Sequence, residues 1–152
     1  MEKRYLHEDE TFQDCIERLH LLNKDSLPTW GAMSVAQMFS HCAEVQEVCN
    51  GSKLLNGTSL LSTLYKAYIK KESISPTPYQ RNHKTHPQFV QLEEKDFDKE
   101  KARLIKALTQ FKKKLDTAYG EHTHPLYGLM TKAEMGWAMY RHLHHHLLQF
   151  EV

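Results

Sequence analysis

Apolar positions recur with a helical period in five stretches of the chain. Between Thr11 and Asn23, Phe12, Cys15, Ile16, Leu19 and Leu22 share one side while Glu17 and Arg18 fall elsewhere, which predicts an amphipathic helix. Pro28 stops any continuation, and Trp30 and Gly31 form a short linker into Ser34. Ser34 with Gln37 reads as a capping box for a second helix. Its inward stripe is Met38, His41, Val45 and Val48, and Asn50-Gly51 ends it. A third helix is expected from Ser59 to Lys71, with Leu61, Leu64, Tyr65 and Tyr68 on one side.

A polar stretch from Glu72 to Glu94 follows, carrying Pro76, Pro78 and Pro87. Connections this long are uncommon in compact domains and often shape or cover a binding site. Asp96 to Tyr119 holds the strongest helical pattern, with Leu104, Leu108, Phe111 and Leu115 as its buried stripe and Gly120 as its stop. A turn-rich segment with His124, Pro125 and Gly128 leads to a second capping box, Thr131 with Glu134, and a last helix running to about Phe150. No series of strand-like segments is visible. The expected architecture is all-α, a four-helix bundle with long connections and one extra short helix, built by residues 1–152 as a single domain.

Composition narrows the function classes. At 152 residues and 40% apolar, the chain can bury a core without disulfides. Its 20 Lys and Arg nearly balance 19 Asp and Glu, giving a formal charge of +1. No net field supports nucleic-acid or anionic-membrane binding, and the run Lys112, Lys113, Lys114 reads as a solvated helix face. Cys15, Cys42 and Cys49 are odd in number, lack a CxxC pair and sit among apolar helical positions, so each is expected in the core of a cytoplasmic protein. The start, Met1 to His7, is charged, and no run approaches the roughly 18 apolar residues of a membrane span.

Candidate chemistry centres on histidine. Four of the eleven histidines fall within His142–His146, inside the last predicted helix. His142 and His146 are four apart, so they share a face at about 6 Å of axial separation and can grip one divalent ion. About one such pair is expected by chance from this composition. His41 adds weight, because it lies on the apolar stripe of the second helix, where a buried ring needs a partner. It is either a core histidine bonded to a backbone carbonyl or a ligand facing the pair. As ligands, His41, His142 and His146 supply three neutral nitrogens and leave an open position, the pattern of catalytic rather than structural sites.

His144 points away from that face and is expected in solvent. His145 is only 60° round from His142 and could be a supporting group, a general base or an interhelix contact. Gln149 either orients a water or caps the helix end. Trp30, Trp137 and Phe150 read as core. No phosphate loop, nucleophile elbow or metalloprotease His-Glu-x-x-His occurs.

Three segments carry a family resemblance. They are Pro28-Thr29-Trp30-Gly31 running through Ser34-Val35-Ala36-Gln37-Met38-Phe39-Ser40-His41 to Val45, then His124-Pro125-Leu126-Tyr127-Gly128, and Tyr140-Arg141-His142-Leu143-His144-His145-His146-Leu147-Leu148-Gln149-Phe150. In this order the chain, from about Thr11 to Val152, resembles the DinB-like (YfiT-like) superfamily of metal-dependent enzymes, and within it the branch catalogued as domain of unknown function 1569. The resemblance implies a four-helix bundle, frequent homodimers, and a divalent ion (zinc, nickel or manganese) held by His41, His142 and His146. It also implies either hydrolysis or transfer of a low-molecular-weight thiol to a small-molecule substrate. Many thiol-using relatives follow the last ligand with Arg-Gly-Gln, whereas here Leu147-Leu148-Gln149 stands, so only the Gln is kept.

The leading expectation is therefore a metal-dependent enzyme in which His145 or Gln149 positions the nucleophile. The competing one is a non-catalytic helical bundle that acts by association.

Overall fold

Ser34 and Thr131 cap their helices as the sequence predicts. Each side chain accepts from the backbone N–H three residues on, and Gln37 and Glu134 reach back to the cap N–H at 2.9 Å each. The computed structural model describes residues 2–56, 63–117 and 120–152. Among these run α1 (Asp9–Leu21), α2 (Val35–Asn50), α3 (Thr63–Ser73), a 3-10 turn (Pro87–Phe89), α4 (Phe97–Thr117) and α5 (Lys132–Gln149). Gly51 closes α2 in the left-handed region, at φ 83°, a conformation glycine adopts without steric cost. Leu61, the side chain of Leu64, and Tyr119 lie outside the described residues.

The architecture is all-α with five helices, one of them short, and long connections. It departs from a strict four-helix bundle. α2 and α4 share the broadest interface, and α1 and α2 also meet α5. α3 lies instead against a β-hairpin, which the sequence pattern did not reveal. That hairpin pairs β1 (His122–His124) with β2 (Gly128–Met130), antiparallel, with His124 opposite Gly128. The predicted stripes are inward: Cys15 and Leu19 of α1, Met38 and Val48 of α2, and Leu104, Leu108, Phe111 and Leu115 of α4 are all buried. Burying each such leucine or phenylalanine contributes about 1.5–3 kcal/mol of transfer free energy.

The end of α3 and the long polar connection after it are fastened to α5. Arg141, buried in mid-helix, donates to the carbonyls of Glu72, Ser73 and Thr77, and the Trp137 indole donates to Ile74 O at 3.0 Å. Further along, the Gln88 and Gln91 side chains donate to the Glu44 carboxylate on α2. These ties hold the connection across the end of α5 that carries the histidines. No helix among the described residues is long and apolar enough to cross a membrane.

Candidate metal centre

The inward stripe of α2 turns His41 into the interior, 4% exposed. Its Nδ1 lies 2.8 Å from the Phe89 carbonyl oxygen, at the end of the 3-10 turn. A carbonyl only accepts, so Nδ1 carries the proton and the lone pair sits on Nε2. On α5, His146 is held in the same way. Its Nδ1 lies 3.0 Å from Gln149 Oε1, while Gln149 Nε2 donates to Trp30 O at 2.7 Å. The Trp30 contact fixes which end of the amide is oxygen. His146 Nδ1 is thus the donor and its Nε2 lone pair also faces inward.

His142, one turn before His146, completes the group. Its Nε2 is 3.0 Å from His41 Nε2, and one nitrogen from each of the three rings lies within 4.8 Å of the others. The ring centroids form a near-equilateral triangle with sides of 5.1, 4.8 and 4.9 Å. Two nitrogens bound to one tetrahedral ion at about 2.0–2.1 Å would stand about 3.3 Å apart. A close approach of two imidazole nitrogens is explained by a shared proton or a shared cation, and the outer acceptors on His41 and His146 suit the cation. Such acceptors commonly orient metal-bound imidazoles.

Electrostatics favour the neutral, ligating form. Burial pushes the pKa of His41 down against the pull of the Phe89 carbonyl. Burial and then the neighbouring imidazoles push His142 well down, and burial together with His41 pushes His146 to about 3. Three neutral donors leave the charge of a divalent ion uncompensated, which suits Lewis-acid chemistry. A clustered three-histidine site suited to a divalent ion is therefore present.

The family model described as Protein of unknown function (DUF1569) matches residues 1–152. The chain belongs to the DUF1569 family. That family is classed within the DinB-like (YfiT-like) superfamily of metal-binding proteins. No curated protein and no solved structure matches the chain.

The other histidines of this DUF1569 chain are placed differently. His145 lies between cluster and surface, its ring 5.1 Å from that of His146 and 5.8 Å from both Trp30 and Tyr79. Gln149, 3% exposed, has both amide ends bound internally, to His146 and Trp30. His144, expected in solvent, is half-exposed. It stacks on Tyr140 at 5.3 Å and accepts from Arg18 through Nδ1 at 3.0 Å, because α1 covers that side of α5. Trp30 is also not core. It is half-exposed at the edge of the site, whereas Trp137 and Phe150 are buried.

Sequence reasoning did not find Phe89, Tyr79 or Arg141. Phe89 acts through its carbonyl, which carries no signature in the side-chain pattern. Arg141 has its guanidinium 3.7 Å from the Tyr79 ring centroid, a contact made across a connection whose path was unknown. The three cysteines are buried and unbridged, and burial raises their pKa values, to about 12 for Cys15 and Cys49. None is poised as a nucleophile.

Proposed function

We propose that this protein is a metal-dependent enzyme whose ion is held by His41, His142 and His146 and which acts on a small molecule by hydrolysis or thiol transfer. The observation carrying this reading is the pair of outer bonds, donated by His41 Nδ1 to Phe89 O and by His146 Nδ1 to Gln149 Oε1, that turn two lone pairs onto the point His142 also approaches. When bound, a divalent ion (zinc, nickel or manganese) supplies polarisation of the substrate and acidifies a water or thiol beside it. Gln149 acts as a positioning residue, holding the His146 ring through Oε1 and itself held by Trp30. His145 lines the accessible edge between Trp30 and Tyr79, where a neutral imidazole can take a proton from the nucleophile and return it to the leaving group.

The helices fit one domain over residues 1–152, with α1, α2, α4 and α5 as a four-helix-bundle core and α3 as the extra element. Three unbridged cysteines suit a reducing cytoplasm. Near-neutral charge argues against nucleic acid as a partner, and homodimerisation follows the family resemblance.

The test is turnover by zinc-, nickel- and manganese-loaded protein against two panels. One holds low-molecular-weight thiols paired with an aryl halide, and the other holds activated esters. The reading expects turnover that disappears with chelation and in His142→Ala. Turnover indifferent to chelation would overturn the metal dependence, and none in fully loaded protein would favour the non-catalytic bundle.

A further inference from the structure

Beside the cluster stands a group of side chains that holding an ion does not require. Trp30 and Tyr79 both flank His145. Tyr79 is backed by the Arg141 guanidinium, which is itself committed to three backbone carbonyls. Arg81 lies over Trp30, its guanidinium carbon 4.2 Å from the ring centroid. An indole face holds a guanidinium by cation–π attraction and leaves the N–H donors at its edge available. Arg81 is exposed, and among the described residues it makes no hydrogen bond or ion pair.

Two guanidiniums border this edge, Arg141 against Tyr79 and Arg81 against Trp30, and the Glu72 carboxylate also acts on Tyr79. Glu44, the acid that faces His41, is held by Lys53 at 2.6 Å. Arg141 is spent on backbone carbonyls, which leaves Arg81 as the guanidinium at this edge whose N–H donors are unbonded among the described residues. One planar guanidinium fork matches one carboxylate in charge and shape, whereas a phosphate dianion carries twice the charge that Arg81 alone balances.

We infer that Arg81, stacked on Trp30, binds the carboxylate of an anionic small-molecule substrate whose remainder crosses Tyr79 and His145 toward the histidine cluster. This rests on the metal-enzyme reading for the reacting end and on Arg81 alone for the anionic end.

The two ends are separable by experiment. ω-Mercaptoalkanoates of increasing length and the matching ω-mercaptoalkanols are titrated into zinc-loaded and metal-free protein. Binding is followed through the NMR signals of the Trp30 indole N–H, which every variant keeps, and of the Arg81 Nε–H where Arg81 is present. The acids are expected to bind more tightly than the alcohols in both forms. Arg81→Gln is expected to weaken the acids by about tenfold or more while leaving the alcohols unchanged, and Arg81→Lys to fall between, because it keeps the charge but loses the planar fork. In zinc-loaded protein one chain length is expected to bind best, when thiol and carboxylate reach both ends together. Equal weakening of acids and alcohols in Arg81→Gln, or no weakening of either, overturns the inference. Tighter binding of alkyl phosphates than of alkanoates at these signals overturns the choice of carboxylate. Failure to take up zinc counts against the metal centre alone, since the Arg81 comparison is read equally in metal-free protein.

Discussion

Buried histidines stand both in the cluster and on the hairpin, and among the described residues only the cluster is arranged to hold an ion. In the His41, His142 and His146 cluster, outer acceptors take the Nδ1 protons of two rings, so lone pairs converge from separate helices. On the hairpin, His124 is just as buried, but its Nδ1 points back to accept from the backbone N–H groups of Leu126 and Tyr127 at 3.1 and 3.3 Å. Its ring stacks on Tyr127 at 4.3 Å, and its Nε2 is buried without a hydrogen-bond partner among the described residues. Accepting at Nδ1 forces the proton onto Nε2. His124 therefore offers no free lone pair and serves as a turn. Burial is shared by His124 and by His41 and His146 of the cluster, and the direction of the lone pairs separates them.

Removing a ligand should break this contrast most sharply. His142→Ala is expected to lower zinc affinity by about a thousandfold or more with helicity unchanged, as read by competition with a chromophoric chelator. His124→Ala should leave that affinity unaltered.

Altering an outer partner is the next largest effect. Gln149→Leu frees the His146 ring and should cost roughly 10- to 100-fold in zinc affinity. Gly31→Ala acts on the same bond more weakly. A Cβ there would meet Gln149 Nε2 at 2.7 Å, and Gly31 has φ +78°, so a several-fold loss is expected in the same assay.

On the hairpin side, the effect should appear in stability. His124→Ala removes the turn acceptor and a stacked ring, at a cost of about 1–3 kcal/mol, measurable by urea unfolding of metal-free protein. The acid response has a defined sign. Burial holds the folded pKa of His124 down at about 3, below its ordinary 6.5. The unfolded chain binds the extra proton first, so the contribution of His124 is fully present above about pH 6.5 and is lost as pH falls toward 3. The slope is at most about 1.4 kcal/mol per pH unit. In His124→Gln that part of the slope should vanish, and an unchanged acid profile would show that the ring is not held neutral.

Much of the site was readable because local rules set it. The Ser34 and Thr131 capping boxes fix where α2 and α5 begin, and helical spacing then turns His41 inward and puts His142 and His146 on one face. What the sequence concealed was non-local or very short. A three-residue strand such as His122–His124 is too brief for alternation to register. The packing of His144 on Tyr140 and Arg18 depends on α1 covering α5. Trp30 is apolar by composition, yet it sits at the edge because Arg81 and the Gln149 amide use its face and its carbonyl.

The most direct test is metal content by elemental mass spectrometry on untagged protein, native and His41→Ala, with circular dichroism to confirm that both are folded. About one divalent ion per native chain is expected, and its loss in the variant. Native protein that stays metal-free after zinc or nickel is supplied, or a variant that keeps a full complement, would contradict a three-histidine metal centre.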